Sequence, residues 1–380
     1  MKRREILKGT AAMSLGMISK KSVSGNVDQD PFPPQKIIKK KPYSYSPLAY
    51  LEKVHDETVP GLAFKSKTEK DAVKWQQELR IKLWELLGET HVPGAVKPAG
   101  RLLETQKVDG YIREKWELDI VPGRSMPFYV LLPESRPKVS KTVLCLHGHG
   151  SGARDIINLP INDDTREYIR IVNTDYAEQC VKRGWCAVAP ELFAFGERVD
   201  YVEGARPGFD GGCEKPFLNA VHMGKTLIGI RAKDICTLID WMSFRDDFDM
   251  SDLACIGLSG GGMMTMYNSA LDERIKRVLI SGYMSEAGDS ILGIRHCSCN
   301  YVPNLGQWAD FPDIAGLIAP RFLIVQSGSK DGIFPIESVH RAFEKIKNVY
   351  TVFNKPDRIR MHEHDSFHSF WSQSLDELFS

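Results

Sequence analysis

Leu253-Ala254-Cys255-Ile256-Gly257-Leu258-Ser259-Gly260-Gly261-Gly262-Met263-Met264-Thr265-Met266-Tyr267 decides how this 380-residue chain is read. It begins as a short apolar run, passes through a G-x-S-x-G pentapeptide and continues as a second apolar run with helical character. Strand, sharp turn and helix in that order form the context of a nucleophile elbow. The turn is so tight that side chains two residues before and after the serine would collide, and Gly257 and Gly261 remove them. Ser259 is then expected at the carboxyl edge of a sheet, beside a helix N-terminus whose dipole favours developing negative charge.

Outward from this stretch the same alternation repeats. Thr142–Leu146, Trp185–Ala189, Leu253–Gly257, Arg277–Ile280 and Phe322–Val325 are short apolar runs bounded by Gly or Pro, the signature of strands buried on both faces. Helical patterns at Ile228–Phe244, Gly262–Leu271 and Ile336–Ile346 separate them. An alternating stretch at Tyr111–Ile120 and a partner at Phe128–Leu132 predict an antiparallel entry hairpin. The expected class is α/β: a mostly parallel, doubly wound sheet with helices on both faces. Ala72, Trp75, Leu79, Leu83 and Leu86 recur near helical spacing over 67–88, and Gly88 stops the run. They predict a helical N-terminal extension packed on the main domain.

A serine at an elbow needs an acid and a base, which follow it in that order. Asp331 is the one carboxylate in the turn Gly328–Pro335 after the run Phe322–Val325, and is the expected acid; Asp365 is the runner-up. The base should follow a last strand, placed here near Val349–Phe353. His368, just before the apolar C-terminal run Phe370-Trp371…Leu375…Leu378, is preferred over His364 and His362. Tetrahedral intermediates need backbone donors. The amides of Gly260 and His149 are the candidates, the latter in His147-Gly148-His149-Gly150 after the run Thr142–Leu146. A metal is not expected. His147 and His149 have no nearby carboxylates, and His296, Cys297 and Cys299 lack zinc spacing and a fourth ligand. No cofactor is expected either. Of the 8 cysteines, Cys145, Cys186 and Cys255 sit in apolar runs and read as small core residues.

The chain carries 50 basic and 49 acidic residues, with no basic surplus of the kind a nucleic-acid partner requires. No apolar run approaches the roughly 20 residues that span a bilayer. Met1–Lys8 opens with paired arginines, Arg3 and Arg4; a mildly apolar stretch to Ile18 and then Lys20 and Lys21 follow. This resembles a twin-arginine export signal and implies a periplasmic or secreted bacterial protein. The expected organisation is a signal over 1–30, a linker and helical extension over 31–107, and a catalytic domain over 108–380.

With these residues in place, the chain resembles the acetyl-xylan-esterase-like and dienelactone-hydrolase-like branch of α/β-hydrolases over roughly residues 100–380. Besides the elbow, the resemblance rests on Arg231-Ala232-Lys233-Asp234, on His296–Pro303 and on Ile314–Arg321 leading to Asp331. It implies the α/β-hydrolase fold and a carboxylester hydrolase, often one acting on acetylated carbohydrate, with a small-molecule or carbohydrate ester as partner. A peptidase or C–C bond hydrolase on the same triad, and an inactive carbohydrate-binding scaffold, are the alternatives. The long segment from Gly196 to 222 departs from small members of that branch. Its aromatic residues and its arginines suggest a binding wall, with Arg198, Arg206 and Tyr201 as candidate substrate contacts.

Overall fold

The computed structural model describes residues 45–95, 97–200 and 212–379. Among them the strands form one nine-stranded sheet: β1 Gly100–Val108, β2 Tyr111–Val121, β3 Arg124–Pro133, β4 Ser140–Leu146, β5 Cys186–Pro190, β6 Phe248–Leu258, β7 Arg277–Ser281, β8 Phe322–Gly328 and β9 Ile359–His364. Their spatial order is β1-β2-β3-β5-β4-β6-β7-β8-β9. The β1–β2, β2–β3 and β3–β5 pairs are antiparallel, and every pair from β5 through β4 to β9 is parallel.

Continuous apolar runs form these strands because both faces of the sheet are covered. Along β4, Leu144 and Leu146 enter one core cluster while Val143 and Cys145 enter the other. Along β8, Leu323 and Val325 fall on the first side, and Phe322 and Ile324 on the second. The period of two is thus present, but it separates one buried face from another and leaves no polar alternation. The helices Leu227–Met242, Gly260–Leu271 and Ile336–Val352 supply the first cluster, and Tyr176–Lys182 and Ser374–Leu378 the second.

The Glu69–Leu87 helix is built into this body. Thr68 caps its first turn, accepting from the Asp71 amide, and Gly88 ends it at φ 68°. Its apolar stripe is fully buried at Ala72, Leu79, Leu83 and Leu87. Gln76 donates to the carbonyls of Gly316 and Ala319, and Arg80 to those of Ala270 and Leu317.

Two expectations are corrected. Residues 349–352 are the end of the Ile336–Val352 helix, with Phe353 at its C-cap, and Val349 and Tyr350 continue the buried stripe of Val339, Ala342 and Ile346; the last strand is β9. The sheet also begins earlier than residue 108, with β1. That strand is exposed along nearly its whole length, so it carries no hydrophobic alternation to find.

Candidate active site

β6 delivers the chain to Ser259, whose backbone sits at φ 59°, ψ −121° before the Gly260–Leu271 helix begins. A non-glycine residue at that φ is strained and must be held from outside. The Ser259 amide donates to the Ser281 carbonyl at the end of β7 (2.9 Å), and the Ser259 carbonyl accepts from the Met263 amide (2.8 Å). A Cβ on Gly257 would lie 2.4 Å from the Gly261 carbonyl carbon, and one on Gly261 would lie 1.9 Å from the Leu146 oxygen. The elbow glycines are therefore required by the neighbouring backbone. Ser259 is part-exposed between buried Leu258 and Gly260.

Asp331 lies three residues beyond β8, and His368 four residues beyond β9. His368 Nδ1 and Asp331 Oδ2 are 2.7 Å apart, with the two side chains 3% and 0% exposed. The other carboxylate oxygen accepts from the amides of Ile333 (2.9 Å) and Phe334 (3.0 Å), which fixes its orientation. The His368 ring stacks on Phe334 at 5.8 Å. The rival residues are engaged elsewhere. Asp365 is exposed and pairs with Lys330 at 2.8 Å. His362 lies on β9, with Nδ1 2.7 Å from Ser374 Oγ and Nε2 3.3 Å from Glu377. His364 ends β9 and stacks on Trp371; burial pushes its pKa below the usual histidine value.

The His147–Gly150 loop leaves β4 and lies against the elbow. A Cβ on Gly148 would lie 2.8 Å from the Leu258 oxygen and 3.5 Å from the Gly260 nitrogen. The His149 carbonyl accepts from the Tyr168 hydroxyl at 3.2 Å. His147 is buried; Nδ1 faces the Gly148 carbonyl, while Nε2 meets the Leu192 amide and Glu191.

Ser259, Gly260, His149 and His368 line one cavity of about 550 Å³, with Asp331 behind His368. Tyr168, Tyr176, Arg295, His296 and Asn300 also line it, and no motif in the sequence singles out Tyr168, Tyr176 or Arg295. They come from irregular segments and helices whose local pattern says nothing of a shared cavity. His296 is pushed down to about 4, first by burial and then by the neighbouring charges of His368 and His149.

Arg198 is corrected. It does not line this cavity: its guanidinium is buried, pairs with Asp234 at 2.8 Å and donates to the Glu191 carbonyl at 3.0 Å. Arg124 pairs with the same Asp234 at 3.1 Å, so Asp234 ties β3 and the Gly196–Arg198 turn to the Leu227–Met242 helix. Tyr201 and Arg206 lie outside the described residues. The thiols are also rearranged relative to expectation. His296 Nε2 faces Ser290 Oγ at 3.1 Å, while Cys297 and Cys299 meet Cys213 and His149, brought from far away in the chain.

The comparisons with known proteins agree with this architecture. The chain is similar to the "Putative hydrolase YtaP" of Bacillus subtilis (strain 168), 25% identical over 282 residues, covering 72% of this chain and 87% of that one. A Bacteroides fragilis NCTC 9343 structure described as a "putative acetyl xylan esterase" superposes with a TM-score of 0.71 at 21% identity, covering 84% and 82% of the two chains. A glucuronoyl esterase from Solibacter usitatus superposes with a TM-score of 0.60 at 14% identity, covering 84% and 96%. At these identities the two structures speak to the fold. The sequence profile of the Abhydrolase family matches residues 46–374, nearly the whole described chain, and the protein belongs to that family.

Proposed function

We propose that this chain is a serine carboxylester hydrolase that deacetylates a carbohydrate ester through an acyl-enzyme on Ser259. The observation that carries the reading is the buried His368–Asp331 pair at 2.7 Å, with His368 lining the same cavity as a serine held at φ 59°. With Nδ1 engaged by Asp331, Nε2 is the nitrogen that takes the Ser259 proton as the oxygen attacks the ester carbonyl. Asp331 holds the tautomer and stabilises the imidazolium. The amides of Gly260 and His149 donate to the oxyanion, and the Gly260 amide also opens a helix whose dipole favours that charge. His368 returns the proton to the leaving alcohol. Water then repeats the attack on the acyl-enzyme.

The carbohydrate ester is supported by two neighbours in fold whose descriptions name esterases of sugar-containing substrates. Export by a twin-arginine route, ending in the periplasm or outside the cell, is part of the same reading; its signal, 1–30, lies outside the described residues. Labelling with a fluorophosphonate probe tests the nucleophile, and turnover of acetylated sugars against longer chromogenic acyl esters tests the substrate. Absent labelling of the folded wild-type chain would end the serine mechanism. Cleavage of amides or C–C bonds in preference to acetyl esters would end the esterase reading.

A further inference from the structure

Three cysteine thiols and one imidazole ring, none of them used as a side chain in the proposed chemistry, converge beside the cavity. One donor atom from each of His149, Cys213, Cys297 and Cys299 lies within 4.8 Å of all the others. His149 Nε2 is 3.4 Å from Cys299 Sγ, and Cys213 and Cys299 are fully buried. Zinc takes sulfur at about 2.3 Å and imidazole nitrogen at about 2.0–2.1 Å in a tetrahedron, which places donor pairs roughly 3.5–3.8 Å apart. The four donors are already gathered to nearly that size.

Arg231 supplies a second, independent observation. Its side chain is fully buried. Nη2 donates to Cys213 Sγ at 3.3 Å, Nε donates to the Phe193 carbonyl at 2.9 Å, and the guanidinium lies over the Phe195 ring. Among the described residues no carboxylate stands within ion-pair range of it. A buried cation needs a counter-charge. Three neutral thiols supply none, and three bare thiolates oversupply it. Three thiolates with one divalent cation carry a single net negative charge, which Arg231 balances.

We propose that His149, Cys213, Cys297 and Cys299 bind one zinc ion in a structural site. Thiolate and imidazole donors in a tetrahedron select zinc among the common divalent metals. Four protein ligands leave no open coordination position, so the ion serves architecture and not ester cleavage. It ties the loop after β4, the segment preceding the helix Glu214–His222, and the 297–300 turn into one unit around the cavity. On binding, the three thiols release their protons to solvent.

Metal analysis of the full-length protein, purified under argon without added metal, is expected to find about one zinc per chain. Stripped with a chelator and titrated with Co²⁺, the wild-type chain should develop thiolate-to-cobalt charge-transfer absorption that saturates at about one equivalent. Cys299→Ser and Cys213→Ser should abolish that band, and Cys145→Ser, a buried thiol of the opposite core, should keep it. Arg231→Met should weaken cobalt binding by about 10- to 100-fold, the range for a group that tunes ligands without touching the metal. The wild-type titration stands by itself should a ligand variant fail to fold, and no readout depends on ester turnover. A reduced wild-type apoprotein that gives no cobalt band overturns the proposal. So does a disulfide linking two of these cysteines in the protein purified under argon.

Discussion

His368 and His149 line the same cavity, and the regions that hold them are built on opposite principles. His368 faces Asp331 at 2.7 Å, and Ser259, Asp331 and His368 follow the carboxyl ends of β6, β8 and β9. His149 faces Cys299 at 3.4 Å, in a cluster drawn from three irregular segments with no repeating pattern. The first region is assembled by regular elements whose ends a parallel sheet must align. The second exists only because loops far apart in the chain are packed against one another. Strand-end residues should therefore fail in chemistry when replaced, and loop-packed residues should fail in stability.

The largest effect that sharpens this contrast is expected at Ser259. Ser259→Ala should lower kcat by about 10⁶ while leaving the circular dichroism spectrum and Tm near wild type. His368→Ala should be comparable, and His362→Ala and His364→Ala much milder, since the imidazole hydrogen-bonded to Asp331 is that of His368. A dead His364→Ala variant would move the base to β9 and break the strand-end pattern. Asp331→Asn should lower kcat by about 10⁴ by favouring the wrong His368 tautomer. Steady-state kinetics on one acetyl ester rank all of these.

On the other side of the comparison, Arg198→Ala removes one of two partners from the buried Asp234. It should destabilise the fold by about 2–3 kcal/mol, the scale of a hydrogen bond to a charged group, with KM unchanged. Urea unfolding read beside KM checks it; a raised KM at unchanged stability would return Arg198 to the substrate. The smallest effect expected is a pH dependence at His364. Its folded pKa is depressed by burial, so below the unfolded value of about 6.5 the unfolded chain binds more protons than the folded one. Its stability contribution is complete above that value and is lost as pH falls. His364→Phe should flatten the fall in Tm on acidification below about pH 6.5, and an unchanged slope would remove His364 as its source.

Legibility in the sequence followed the same division. The elbow announced itself because Gly257 and Gly261 answer a local clash, and the order serine, acid, base then pointed to Asp331 and His368 without any contact being known. The strand at 349–353 was misread because a short β-branched run looks alike on a strand and at the end of an amphipathic helix. β1 was missed because an exposed strand has no face to bury. Arg198 was read as a binding residue from its place in an aromatic segment, yet its partner, Asp234, lies on the Leu227–Met242 helix.

What the sequence by itself determined is whatever depends on periodicity and on steric demands within a few residues: the parallel α/β sheet and the sharp strand-to-helix turn at Ser259. Tertiary structure alone decided the rest. It brought Tyr168, Tyr176 and His296 to the cavity wall, turned Arg198 inward against Asp234, and set Cys213 and His149 beside Cys297 and Cys299. The physical reason is range. Backbone sterics and hydrophobic period act between neighbours in the chain, whereas a donor set or a buried ion pair depends on distances between residues whose separation in sequence carries no information about them.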